Sequence, residues 1–257
     1  MIIPFLSFDH QVDLLKKQYK IALSEVIQSK WYVLGQNVAD FEKQYSEINK
    51  TKFAIGVGSG LDALIICLKA LKIGKGDEVI VASNAYIASW LSISNVGAKI
   101  VPVEPNHKTF NLNPDEIENK ITLKTKAIMP VHLFGQACEM DKIMEIAKKH
   151  KLFVIEDNAQ AHLALFDEKI TGSFGEINAT SFYPTKNIGA LGEAGCITTN
   201  NINLAEFSRK YRNYGSSEKY ICDIIGTNAR LDEIQAAILN VKHKAAITGH
   251  SYHIKSA

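Results

Sequence analysis

The chain has 257 residues, 46% hydrophobic and 22% charged, enough apolar material for one sizeable core or one core with a small appendage. Its 29 lysines and arginines against 27 aspartates and glutamates leave a net charge of +2, too little for a basic field that would hold a nucleic-acid backbone. The start of the chain has no basic leader or small-residue cleavage site, and no segment approaches the roughly 20 apolar residues that span a bilayer. Cys67, Cys138, Cys196 and Cys222 never form a CxxC pair, so no metal site or disulfide framework is expected and a reducing cytoplasm is the expected setting.

In chain order, a helical apolar stripe over 12–29, through Leu14, Leu15, Ile21, Ala22 and Ile27, predicts a helix packed on the outside of a sheet domain. From Phe53 to Asp157, β-branched apolar runs alternate with helical patterns, the mark of a mainly parallel sheet flanked by helices. Strands are expected at 53–57, 78–82, 99–103, 127–133 and 153–156, with helices at 61–71, 85–95, 114–120 and 140–150 between them. Short strands follow around 179–182 and 196–199, then helices at 204–211 and 231–242. After Ala246 the helical period is lost.

Three stretches carry chemistry. Phe53-Ala-Ile-Gly-Val-Gly-Ser-Gly-Leu-Asp-Ala-Leu64 sets a glycine-rich turn between strand and helix, where free N–H groups and the helix dipole suit a phosphate. A tight turn needing glycine for steric reasons would read the same way. The spacing Gly56-x-Gly58-x-Gly60 is not the G-x-G-x-x-G of a dinucleotide fold, which argues against a dehydrogenase.

The run Phe153-Val-Ile-Glu-Asp157 places Glu156 and Asp157 at the carboxyl edge of the sheet, where such folds bind ligands, although an acid there also caps a following helical turn. In Ser181-Phe-Tyr-Pro-Thr-Lys186-Asn187, a lysine follows a strand and a proline-stiffened turn and precedes a glycine-rich loop. Alone, Lys186 reads as a solvated surface charge. Together, the glycine cradle, the strand-end acid and the lysine meet the needs of pyridoxal phosphate (PLP): a phosphate cup, a carboxylate for the ring nitrogen and an amine for the aldehyde.

These residues resemble the DegT/DnrJ/EryC1/StrS family of sugar aminotransferases. The resemblance rests on Gly58-Ser-Gly-Leu-Asp-Ala-Leu64, Pro130-Val-His-Leu-Phe-Gly-Gln136, Ile155-Glu-Asp-Asn-Ala-Gln-Ala-His162 and Ser181-Phe-Tyr-Pro-Thr-Lys-Asn187. Arg212-Asn-Tyr-Gly215 and Gly226-Thr-Asn-Ala-Arg-Leu-Asp-Glu233 extend it. It implies an α/β fold, the large domain of a type I (aspartate aminotransferase-like) PLP-dependent transferase. It also implies Lys186 as the lysine bonded to the cofactor and the proton carrier, Asp157 at the ring nitrogen, Gln160 near the ring or its hydroxyl, and Tyr86 against the ring face. Gly60, Leu61 and Ser181 would hold the phosphate, and Asn228 would reach the phosphate of a neighbouring subunit in a homodimer. Relatives that deoxygenate sugars carry a histidine where this chain has Lys186.

Ala85-Tyr-Ile-Ala-Ser-Trp-Leu-Ser92 and Val101-Pro-Val-Glu-Pro105 are most similar to members that aminate C3 of a dTDP-3-keto-6-deoxyhexose from glutamate, for surface polysaccharide or O-antigen sugars. Family members continue past the helix at 231–242 into a small C-terminal domain, so the resemblance divides this chain into a PLP-binding large domain, 1–243, and an atypical tail, 244–257. A truncated reading frame would explain the tail. It leaves the alternative of a non-catalytic remnant that binds PLP or folds poorly, with apolar surface exposed on Ile234, Ala237, Ile238 and Val241.

Overall fold

The computed structural model describes residues 7–247. In chain order, α1 (Asp9–Ser29) and α2 (Gln36–Ile48) precede β1 (Phe53–Val57), α3 (Gly60–Ala70), β2 (Glu78–Ala82), α4 (Ile87–Asn95), β3 (Lys99–Val103) and β4 (Thr125–Met129). Then come α5 (Met140–His150), β5 (Phe153–Val154), β6 (Leu165–Phe166), β7 (Lys169–Ile170), β8 (Asn178–Ser181) and β9 (Gly195–Thr199). The described chain closes with α6 (Ile202–Tyr211), β10 (Ser216–Glu218), β11 (Ile221–Cys222) and α7 (Glu233–Ile247).

Strands β3, β2, β4 and β5 lie parallel in that order. Asp157 extends the sheet, bridging Val131 on one side and Ala179 on the other, both in parallel sense. The Ala179 N–H donates to the Glu156 carbonyl at 2.9 Å, which brings β8 alongside. Beyond it β9 runs antiparallel to both β8 and β1, so one reversed strand sits in an otherwise parallel row. Alternation then decides the layers. Val79 and Val81 join Ile55, Val57, Ile66 and Met129 in the core under α3, whereas Ile80 joins Ile128, Met140, Ile143 and Val154 under α5.

Several bounds move for physical reasons. The expected helix over 114–120 is two 3-10 turns, Pro114–Glu116 and Glu118–Lys120, each too short to close an α-helical ladder. The expected strand to residue 133 stops at Met129, because the chain turns at Leu133–Gly135 with Phe134 at φ 56°. Helix α2, to which no sequence expectation pointed, packs Phe41 and Tyr45 edge-on against Phe182, with centroids 5.3 and 5.2 Å apart.

The outer helix packs on the outside of the domain, as expected, but against α7 and through a different face. α1 does not lie on the sheet: Leu15 and Tyr19 pack against Ile238 and Val241 of α7, while Leu14, Ile21 and Ile27 of the expected stripe are exposed. The same contact overturns the expected apolar exposure on α7, where Ala237 and Ile238 are buried and Ile234 alone of the four is largely exposed. α7 continues through residues 244–247, the first part of the expected tail, and the remainder of that tail lies outside the described residues. None of the described helices is long and apolar enough to cross a membrane.

Candidate active site

The carboxyl ends of β4, β5 and β8 and the amino end of α3 open onto a cavity of about 960 Å3. Gly60, Leu61, Tyr86, Asp157, Gln160, Ser181, Lys186 and Asn228 all line it, so residues scattered over most of the sequence meet at one site.

One corner of the cavity is built by the start of α3. Ser59 caps that helix: its hydroxyl accepts the Asp62 N–H at 3.0 Å and its carbonyl the Ala63 N–H at 3.0 Å. The N–H groups of Gly60 and Leu61, the first two of the helix, have no intrahelical acceptor and sit at the positive end of its dipole. Gly60 has no room for a side chain, since a Cβ there would lie 2.6 Å from the Cβ of Ser181. Helix start and strand end are pressed together, which sets the Ser181 hydroxyl beside the free N–H groups.

Asp157 is buried at the cavity wall. One carboxylate oxygen accepts the Ser89 hydroxyl at 2.7 Å and the other the Ala159 N–H at 3.1 Å. Burial pushes its carboxyl above the usual range, opposed by those two donors and by the charge of Lys186. Lys186 is half-buried on the loop after β8, its N–H donating to the Tyr183 carbonyl at 2.8 Å. Burial lowers the basicity of its amine, and Asp157 opposes that shift. The Gln160 side-chain oxygen accepts the Phe134 N–H at 2.8 Å, and Tyr86, just before α4, is 64% exposed at the mouth.

Glu156, expected beside Asp157 at the sheet edge, points the other way, as strand alternation requires. Its carboxylate collects the N–H groups of Gly172, Phe174 and Gly175 at 2.6 to 2.8 Å and the imidazole of His132 at 3.0 Å. The other His132 nitrogen accepts the Cys138 N–H, so the proton sits on Nε2, facing Glu156. This acid and histidine hold the β5–β8 crossover in place and take no part in the cavity.

Residues 13–246 match the DegT/DnrJ/EryC1/StrS aminotransferase family. The chain belongs to this family. It is 52% identical over 242 residues to the dTDP-3-amino-3,6-dideoxy-alpha-D-galactopyranose transaminase of Aneurinibacillus thermoaerophilus, a match covering 94% of this chain and 66% of that relative. It is 44% identical over 240 residues to the dTDP-3-amino-3,4,6-trideoxy-alpha-D-glucose transaminase of Streptomyces venezuelae, covering 93% and 63%. The crystal structure of S. venezuelae DesV in complex with a ketimine intermediate matches with TM-score 0.93 and 43% identity, over 96% of this chain and 66% of that one. NtdA of Bacillus subtilis with bound cofactor PMP matches with TM-score 0.89 and 35% identity, over 94% and 56%. The chain therefore spans a little under two thirds of the length of the curated relatives it matches. The expected α/β fold of this aminotransferase family is borne out by these structures.

Among DegT/DnrJ/EryC1/StrS motifs, two site residues escaped the sequence reading. Ser89 looks like an ordinary polar helix position, yet it lies three residues after Tyr86, on the same helical face as a cavity residue. Arg230 lines the cavity with its guanidinium over the Tyr214 ring and donating to the Asn213 side chain at 3.0 Å. It falls inside the quoted 226–233 motif, where its charge next to Asn228 was the available signal.

Proposed function

We propose that this chain binds PLP and moves an amino group from glutamate to C3 of a dTDP-3-keto-6-deoxyhexose, supplying amino sugars for surface polysaccharide or O-antigen. The observation that carries the reading is the meeting of Lys186, Asp157 and the free amino end of α3 beside Ser181 in one cavity. These groups fit a phosphorylated pyridine aldehyde. A side chain at position 60 would fill the phosphate corner, a buried carboxylate stands ready for a protonated ring nitrogen, and a half-buried amine stands ready for the aldehyde. Amination at C3 is supported by the two relatives above, whose names place the amino group on that carbon.

Bound PLP supplies an aldehyde carbon that takes up amines and a ring that accepts electrons from the adjacent C–H bond. Gly60, Leu61 and Ser181 hold the phosphate. Asp157 holds a proton on the ring nitrogen by its negative charge, and Tyr86 and Gln160 fix the ring's face and edge. Lys186 would hold the aldehyde carbon through Nζ, with release of water. Displaced by the incoming amine, Nζ would take the proton from the α-carbon of glutamate and would later deliver one to C3 of the sugar. Its lowered basicity leaves a larger share of that nitrogen unprotonated near neutrality, as a base needs.

A homodimer in the cytoplasm completes the reading. The cysteines are free, with Cys67, Cys138 and Cys196 buried, which suits a reducing compartment. Tyr86 and Ile87 on the cavity wall and Phe134, whose N–H bonds Gln160, are exposed, an apolar rim that a second copy would cover while Asn228 serves the shared site.

The test is borohydride reduction of PLP-loaded protein followed by peptide mass analysis. Label on Lys186, with visible colour that bleaches when glutamate is added, is expected. Label on another lysine overturns the assignment. Colour that persists with glutamate supports cofactor binding without turnover, the remnant reading.

A further inference from the structure

Asp157 has one task in the reading above, to remain negative at the ring nitrogen, and its surroundings work against it. The residue is 4% exposed, and the side chains next to it are apolar: Val131 just after β4, Ile155 just after β5, and Ala179 on β8. A carboxylate moved from water into such a place takes up a proton unless donors hold the charged form. Among the described residues, the titratable groups facing it are few. Lys186 approaches from the loop after β8, and His132 precedes α5 with its ring proton given to Glu156. Cys67 approaches from α3 as a buried thiol that burial keeps protonated. Lys186 cannot be a constant counter-charge, because its nitrogen is consumed when it bonds the cofactor and changes charge when it carries a proton.

That leaves two fixed donors, the Ala159 N–H and the Ser89 hydroxyl. The first belongs to the turn that carries Asp157 itself. The second arrives from α4, which Tyr86 immediately precedes, and it is held: Ser89 is fully buried, its N–H donates to the Tyr86 carbonyl at 3.0 Å and its carbonyl accepts the Ser92 hydroxyl at 2.7 Å.

We propose that Ser89 is a positioning residue for the proposed reaction: its hydroxyl holds Asp157 ionised and fixes which carboxylate edge faces the cofactor ring nitrogen. The proposal rests on the assignment of Asp157 to that nitrogen, and α4 thereby couples the residue on the ring face, Tyr86, to the charge at the ring edge.

The experiment follows the carbon-13 signal of the Asp157 carboxyl, assigned by its loss in Asp157→Asn, through a pH titration of the full chain without cofactor. A parallel titration of the PLP-loaded chain follows the nitrogen-15 signal of the cofactor ring. In Ser89→Ala the midpoint of Asp157 is expected to rise by about one to two pH units, the equivalent of losing one hydrogen bond to a charged group. In the loaded chain the ring nitrogen of this variant should lose its proton at lower pH than in the wild type. Ser89→Thr, which keeps the hydroxyl, should return both signals to wild-type values, a rescue that mere loss of packing would not give. An Asp157 midpoint in Ser89→Ala equal to that of the wild type overturns the proposal. A shifted carboxyl midpoint with a ring nitrogen that ignores both Ser89→Ala and Asp157→Asn overturns instead the assignment of Asp157, and with it the functional half of the proposal.

Discussion

The carboxylate of Glu233, the first residue of α7, accepts the backbone N–H of Val38 at 2.9 Å across 195 positions of sequence. It also accepts the N–H groups of Gly35 and Asn37 at 2.8 and 3.0 Å and the Asn37 side-chain amide at 2.9 Å. Gly35 offers α2 no side-chain cap, so an acid from another helix satisfies the orphan donors at its start and meets the positive end of its dipole. Glu233→Ala is expected to lower the unfolding free energy by about 3 kcal/mol, since it strands several buried donors, and Glu233→Gln by roughly half that. Urea denaturation measures both. A loss under about 0.5 kcal/mol, the range of an ordinary surface substitution, would show that water caps α2 as well as Glu233 does.

Gly60→Ala tests the phosphate corner. A new Cβ would meet Ser181 at 2.6 Å and must push the start of α3 away from β8. PLP affinity is expected to fall about tenfold or more, the effect of a small displacement at a helix terminus that supplies two N–H groups. Gly74→Ala, whose Cβ would touch only the Val96 carbonyl at 3.4 Å, is the control. Equal PLP affinity for both variants and the wild type, read by fluorescence titration, would move the phosphate elsewhere.

Asp157→Asn should leave the fold intact, because the amide oxygen can still accept the Ala159 N–H while its NH2 donates to the Ser89 hydroxyl oxygen, yet slow the glutamate half-reaction on the order of a hundredfold. A neutral amide gives a protonated ring nitrogen no charge to rest against. A half-reaction at wild-type rate in stopped-flow absorbance would remove Asp157 from this role.

The legible parts of the molecule are those whose cause is local. β1, β2 and β3 have the expected bounds because each is a short, mainly apolar run, opened by Glu78 in β2 and Lys99 in β3, and closed by turn or helix signals. Of the cavity residues, Gly60, Asp157 and Lys186 were legible because glycine spacing, a strand-end acid and a loop lysine each leave a local mark, whereas Tyr86, Gln160, Ser181 and Asn228 came only from the resemblance to the family. What was not legible depends on partners distant in sequence. The face α1 buries is chosen by α7, which takes Leu15 and Tyr19 and leaves the equally apolar Leu14 and Ile21 outside. Neither Glu233 at Val38 nor Ser89 at Asp157 has any local signature, since each is an ordinary polar residue until the fold supplies its partner.

His243 carries the last prediction. It is fully buried on α7, its ring stacked on Phe41 and Tyr45 at centroid distances of 5.4 and 5.5 Å, and neither ring nitrogen has a hydrogen-bond partner among the described residues. Burial, with the nearby His162, lowers its pKa from 6.5 to about 3. His162 is also lowered, to about 4, but both of its nitrogens are used: one bonds the Ser181 carbonyl at 2.8 Å and the other accepts the Ile188 N–H at 3.2 Å. For a base whose folded value lies below its unfolded value, the unfolded chain takes the proton first as pH falls. Stability is therefore complete above about 6.5 and is lost progressively toward the folded value. Between pH 7 and pH 5 each histidine should cost about 2 kcal/mol of stability. His243→Leu is expected to remove its own share, so that the variant loses about 2 kcal/mol less than the wild type over that interval, and at pH 7 to be at least as stable, since no bond is broken. His162→Leu should flatten the pH dependence as well but be less stable at pH 7, because it strands Ser181 and Ile188 beside Lys186. Urea titrations of the three proteins at both pH values decide it, and a His243→Leu variant whose stability falls with acid as steeply as the wild type's would mean that His243 is not held neutral in the fold.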